Sequence, residues 1–238
     1  MSNEKGISEY RSALKDNCSL ITEAIRENEM LRNKLLISGY SLPHPYLAFI
    51  PNDAIETERE IYRKYHILEI LKDEAIQDNV VNSIQLTNYY SFCFRNFYIP
   101  NSFRAMLYKQ DAINLVSIIE AFLVDARNNL HSFCAECEKY DTCKHAIKGK
   151  ASYLKEAIDA LKEAEFLDLT ELETMRLKDF YNDRNLVHLC TKTVSTKELQ
   201  EFTPNLRNEI LMALYSITER LYKDVVCYYN TCKGYERK

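Results

Sequence analysis

Breakers are scarce in this sequence: its 238 residues hold 4 glycines and 5 prolines. Between them run long stretches rich in leucine, isoleucine, glutamate and lysine, a pattern that predicts helix almost from end to end. The glycine shortage also removes whole classes of chemistry. A phosphate-cradling loop and a dinucleotide fingerprint both need clustered glycines, and neither occurs. A glycine-flanked serine elbow and a His-Glu-x-x-His motif are missing as well. No run approaches the roughly 18 apolar residues of a membrane helix, and the opening MSNEKG is too polar for a signal peptide. Both point to a cytoplasmic protein with no membrane partner. A net charge of −4 gives no global basic field, so any nucleic acid would be met at a local site.

What is present is helical punctuation. Ile7, Leu14, Ile21 and Leu35 recur by sevens, with Tyr10, Cys18 and Ile25 between them and Asn28 in the same register. They predict a long amphipathic helix ending near Gly39. Three prolines make a loop of the stretch 39–52. Asp53 with Glu56 reads as a capping box for a second helix running to about Gln77. An aromatic-rich segment follows to Tyr98, Pro100 interrupts it, and a new helix is expected near Ser102. The run from Asp111 to His131 is apolar on most sides and should be the most buried helix, with Asn114, Ser117, Glu120, Arg127 and His131 as its polar stripe. After a cysteine-rich connection at 132–149, helices are expected over 151–164 and 170–190, the latter opened by a Thr170/Glu173 capping box. Ser195 with Glu198 marks a short helix. Thr203-Pro204 starts the last one, whose Leu206, Ile210, Leu214, Ile217, Leu221 and Val225 form one apolar stripe. The expected division is an N-terminal helical extension over 1–100 and a helical bundle over 101–238.

One pair of residues breaks the apolar pattern. In FYNDRNLVHL, Arg184 and His188 stand four apart, one turn and roughly 40° around a helix. Phe180, Tyr181, Arg184, Val187 and His188 all fall within about 80° of Leu177 on a helical wheel. A cation and an imidazole therefore occupy positions where a purely structural helix carries leucines. They either serve a site or pair with a core carboxylate such as Glu120. The same spacing recurs in Arg127-Asn128-Asn129-Leu130-His131; two such pairs could line one polar cleft, but a solvated cluster complementing the helix C-terminus is the simpler reading.

The apolar helix reading VSIIEAFLVDAR, the helix reading LKDFYNDRNLVHL and the final amphipathic helix together resemble the HEPN superfamily over about residues 102–228. The resemblance implies an all-α, up-and-down helical bundle that pairs two-fold, with the Arg/His motifs facing each other across a cleft. Many such proteins are metal-independent ribonucleases of toxin or antiphage systems, and others are non-catalytic. Carried over, Arg184 would hold the scissile phosphate, His188 would act as general base or acid, Asn185 would orient the site and Glu120 would fix Arg184 or the histidine tautomer. No cofactor is implied for catalysis. RNA, a second protomer and an antitoxin or regulatory partner are the implied partners. Three residues separate Arg184 from His188, fewer than in catalytic members, so the ribonuclease and the non-catalytic dimerisation or nucleotide-sensing readings both stay open.

Two further clusters stand out. Cys134, Cys137, Cys143 and His145 follow a Cys-x2-Cys-x5-Cys-x-His pattern that offers four ligands to a structural zinc, with reduced loop thiols as the alternative. Cys190, Cys227, Cys232 and His131 are further candidate ligands. From Asn88 to Arg104, aromatics interleave with Arg95 and Arg104, a composition that suits stacking on single-stranded nucleic acid. With 17 tyrosines and no tryptophan to bury, core packing is the better explanation.

Overall fold

Helices account for all the regular structure in the computed structural model, which describes residues 2–38, 55–97, 99–137, 140–185 and 202–235. Eight occur among the described residues: α1 (Ser2–Ile37), α2 (Glu58–Lys64), α3 (Ile67–Ile70), α4 (Glu74–Asn96), α5 (Asn101–Ala135), α6 (Leu154–Glu163), α7 (Glu171–Asn185) and α8 (Pro204–Tyr235). The protein is an all-α helical bundle. None of the described helices is long and apolar enough to cross a membrane. The chain divides into two compact units, Met1–Phe49 and Ile50–Lys238. The division expected at residue 100 is placed instead at 49/50, because Ile61, Tyr65, Ile67, Ile70, Val80 and Ile84 share one core with the helices beyond residue 100.

The first unit is α1. It spans the predicted heptads, and its described apolar side chains lie at the surface, with only Ile25 half-buried.

In the second unit α5 is the spine. Leu115, Val116, Ile118, Ile119, Phe122, Leu123, Ala126 and Leu130 are all buried, each large side chain contributing roughly 1.5–3 kcal/mol on removal from water. The predicted stripe of α8 packs on it, with Ile210, Leu214, Ile217, Leu221 and Val225 buried and Leu206 half-buried. Thr203 caps α8, its Oγ1 accepting from the Leu206 amide at 3.2 Å, as the Thr-Pro signal implies. The capping box of α7 is also as expected. The Thr170 amide donates to Glu173 Oε2 at 2.8 Å, and the Glu173 amide donates to Thr170 Oγ1 at 3.2 Å.

Sequential neighbours run antiparallel. Thr87 meets Asp111 while Asn114 reaches back to the Ser83 carbonyl, which sets α4 against α5. Lys162–Glu171 and Lys178–Asp159 pair α6 with α7, and Glu173–Arg220 and Arg176–Glu209 pair α7 with α8.

The second predicted helix is corrected. Its capping box is Thr57/Glu60 rather than Asp53/Glu56. Asp53 lies outside the described residues, and Glu56 instead accepts from Lys64 Nζ and Asn88 Nδ2 at 2.6 and 3.0 Å. The helix does not continue to Gln77. His66 takes a left-handed backbone with φ 52°, and Leu71 is extended, which leaves α3 as a single turn. Leaving the helical register costs a non-glycine residue energy, and the His66 ring offsets it by stacking on Tyr222 with centroids 3.8 Å apart. Its Nε2 also lies 3.2 Å from Glu219 Oε1.

A buried ion pair ties α4, α5 and α8 together. Asp111 is 0% exposed and Arg207 8%. Arg207 Nε donates to Asp111 Oδ2 at 2.5 Å, and Thr87 Oγ1 donates to the other carboxylate oxygen at 2.8 Å. The second guanidinium arm reaches Ser91 Oγ, and Asn114 Nδ2 donates to Thr87 Oγ1 at 3.1 Å. Burial pushes the Asp111 carboxyl above the usual carboxylate range, against the opposing pull of Arg207. A carboxyl raised on folding favours the fold at low pH and loses that contribution as pH rises through its folded value. Glu173 is the opposite case, held low first by the Thr170 backbone hydrogen bond and then by the Thr170 hydroxyl and Arg220. Its contribution is present above the ordinary carboxylate value and is lost as pH falls.

Breaking the pair from one side leaves a buried charge alone. Asp111→Leu and Arg207→Met should each destabilise the protein by about 3–5 kcal/mol in chemical denaturation. The double substitution should be less damaging than either single one; strict additivity would contradict the tie.

Candidate functional site

α7 carries the Arg-Asn motif at its end. Thr174, Leu177 and Phe180 are buried, and Tyr181 packs half-buried against the same core. Arg184 follows Phe180 by one turn on that face, and Asn185 is the last residue of the helix. The side chains of Arg184 and Asn185, and the whole of His188, lie outside the described residues, as does the expected Ser195/Glu198 helix. Glu120 is half-buried on α5 and interacts with a neighbouring group. It stands one turn beyond Val116, which lines a small apolar hollow together with Phe180, Phe202 and Ile210. At about 10 Å³ the hollow scarcely admits a water molecule and offers no small-molecule site. It marks where the helix of the motif is anchored on α5 and α8.

The second copy of the pattern is described in full, and its work is structural. Arg127 is 4% exposed. One arm of its guanidinium donates to the Lys148 carbonyl at 2.8 Å and the other to Asn128 Oδ1 at 3.1 Å. Asn128 grips the backbone of Ala151 twice, accepting from its amide at 2.9 Å and donating to its carbonyl at 3.1 Å. His131 Nδ1 lies 2.8 Å from the Ile147 carbonyl, which only a protonated Nδ1 can satisfy as donor. Asn129 Nδ2 donates to Asp125 Oδ2 at 2.7 Å, and the other contact of that oxygen is the Lys72 amide at 2.9 Å. The pentapeptide thus pins residues 147–151 of the connection onto the end of α5. Neither a solvated cluster nor an open cleft describes it. Burial lowers the Arg127 pKa, with Glu156 the main opposing influence, and its Nε is buried without a hydrogen-bond partner.

The connection itself is a chain of tight turns. The Cys137 amide donates to the Cys134 carbonyl at 3.0 Å, Tyr140 to Cys137 at 3.0 Å, and Ala146 to Cys143 at 3.2 Å. Gly149 sits at φ 68°, a backbone that disfavours any side chain. Cys134 is buried, Cys137 and Cys143 are half-buried, and none of the three is in a disulfide. His145 Nδ1 lies 2.9 Å from the Ala164 carbonyl, which leaves Nε2 as the nitrogen able to act as a ligand. Among the described residues, no three His, Cys, Asp or Glu side chains are grouped to hold a metal ion. Cys190 and the side chains of Cys227 and Cys232 lie outside the described residues.

The aromatic segment is the second half of α4 and the start of α5, and its rings largely meet one another. Phe94 stacks on Tyr108 at 4.1 Å and lies beneath the Arg207 guanidinium at 5.9 Å. Phe92 is buried, edge-on to Phe97 at 5.8 Å. Arg95 Nε is turned back to the Ser91 carbonyl at 3.2 Å. Of the described rings in the segment only Phe92 is buried, while Tyr89, Phe97 and Phe103 are exposed at 40%, 36% and 56%, so the expected core packing holds for a minority of them.

Asn128→Ala would remove both bonds to Ala151. It should lower stability by about 1–3 kcal/mol and, by loosening the backbone there, speed tryptic cleavage after the already exposed Lys144, Lys148 and Lys150. Unchanged proteolysis at these lysines would show that the connection is held by something else.

Compared with family models, with curated proteins and with solved structures, the chain matches none.

Proposed function

We propose that this is a HEPN-like protein in which Arg184, Asn185 and His188 form a metal-independent RNA endonuclease site of toxin or defence type, completed by a second protomer. The observation that carries this reading is the buried face of α7. Leu177 and Phe180 enter the core, and the next position on that face of α7 is Arg184, a cation instead of a leucine, with His188 four residues further along the sequence. Arg184 would hold the scissile phosphate and offset its growing negative charge. A His188 imidazole would take the proton of the 2′-hydroxyl as that oxygen attacks phosphorus. The bond to the 5′-oxygen then breaks, and that oxygen receives a proton from an imidazolium, leaving a 2′,3′-cyclic phosphate and a 5′-hydroxyl. Asn185 orients the pair. Glu120, interacting on the adjacent helix, belongs to the surrounding support.

A second reading rests on Arg127–His131. There the same Arg-Asn-x-x-His pattern pins a loop, so Arg184–His188 could do likewise for the segment after α7, in a non-catalytic dimerisation or nucleotide-sensing module. In that reading the connection, with zinc on Cys134, Cys137, Cys143 and His145, is the partner-docking element.

Wild-type protein should cut single-stranded RNA in EDTA and leave 2′,3′-cyclic ends, and His188→Ala should lose at least about a hundredfold of that activity with unchanged thermal unfolding. Identical behaviour of the two proteins on RNA would rule out the enzyme and leave the second reading. On the second reading, elemental analysis of protein purified without chelators should find about one zinc per chain. A content below about half an equivalent would contradict the zinc assignment.

A further inference from the structure

α1 is a 36-residue helix whose described seam side chains are largely exposed. Tyr10 is 79% exposed and Leu14 66%, and Ile21 and Leu31 are also open to solvent. No described residue of α1 belongs to the buried core. An isolated helix with an uncovered apolar stripe gains little from propensity alone and is stabilised mainly by burying that stripe. With Ile7 as position a of a heptad, the a positions read Ile7, Leu14, Ile21, Asn28, Leu35, and the d positions read Tyr10, Asn17, Ala24, Leu31. The seam spans about four heptads, roughly 40 Å of helix.

The flanking charges select the occupant. We infer that α1 pairs with α1 of a second copy of this chain as a parallel, in-register coiled coil. In that arrangement each g position faces the e position five residues on in the other helix. The facing pairs are then Ala13 with Cys18, Leu20 with Ile25, and Glu27 with Arg32. Two are apolar, one is oppositely charged, and none brings like charges together. Asn28 meets its own copy, amide to amide, which satisfies a buried polar group and fixes the register. The antiparallel alternative that best shelters Asn28 sets it against Asn17, and that register places Arg11 against Arg32, twice per dimer. Opposite charges favour the parallel dimer and like charges disfavour its reverse. The inference is independent of the Arg184–His188 reading, since it uses only residues of the first unit.

Sedimentation equilibrium of the full chain tests it. Wild type should be a dimer. Leu14→Asp and Ile21→Asp should weaken association at least about a hundredfold while the thermal transition of residues 50–238 stays in place. Glu27→Lys and Arg32→Glu should each weaken the dimer about tenfold, and E27K/R32E together should restore it. Tighter association on Arg32→Glu alone would show the antiparallel form and overturn the inference. A wild-type monomer, a trimer or a larger oligomer would also overturn it. A dimer that survives Ile21→Asp would place the contact elsewhere, which overturns this inference but leaves the proposed cleft standing.

Discussion

Everything in the second unit is arranged around a helix that water scarcely reaches. Because α5 is buried on most sides, most of the polar side chains it carries towards the core must find a partner inside the protein. Near its start, Asp111 is answered by Arg207 and Thr87. In the middle, Asn114 is answered by the Ser83 carbonyl. Towards its end, Asp125, Arg127, Asn128 and His131 are answered by the backbone of two loops. These bonds do not drive folding, which the apolar surface does. They fix register, since sliding a neighbouring helix by one turn would strand several buried groups at once.

That constraint bears on function, because the chain uses the same residue types in two other places where their purpose is visible. Arg207 lies within about 20° of Leu214 on the wheel of α8, a cation in an apolar stripe, and a core carboxylate neutralises it. Arg127 and His131 share the spacing of Arg184 and His188, and they hold a loop. A polar residue in an apolar seam is therefore a question about its partner. For Arg127 the partner is the Lys148 carbonyl, and for Arg207 it is Asp111. For Arg184 the proposed partner is a phosphate.

How much of this was legible in the sequence depended on whether the signal was local. The paucity of glycine and proline gave the all-helical class. Capping at Thr170 and Thr203 and the periodicity of α8 placed two helices correctly, because caps and stripes are written within a few adjacent residues. The breaks at His66 and Leu71 carry no glycine or proline, and the residues that support the first, Tyr222 and Glu219, are far along the chain. A local reading therefore runs one helix through both breaks. The capping box that the helix uses is Thr57-x-x-Glu60, four residues beyond the Asp53-x-x-Glu56 that carries the same local signature. The Asp111–Arg207 tie joins residues 96 apart, so spacing could not reveal it. A signal exists all the same: Asp111 and Arg207 each fall on the apolar face of their own helix, as Arg184 does on the predicted stripe of α7.

The central claim is that two look-alike pentapeptides do different work, Arg127–His131 holding the chain together and Arg184–His188 meeting RNA. Nitrogen-edited NMR of the histidine rings, titrated with a 2′-deoxy-substituted oligonucleotide that cannot be cut, compares them in one sample. The account predicts that the His188 ring signals shift as the oligonucleotide is added, while those of His131, held on the Ile147 carbonyl, stay in place. A His188 ring that does not respond, or one that moves only together with His131, would contradict it.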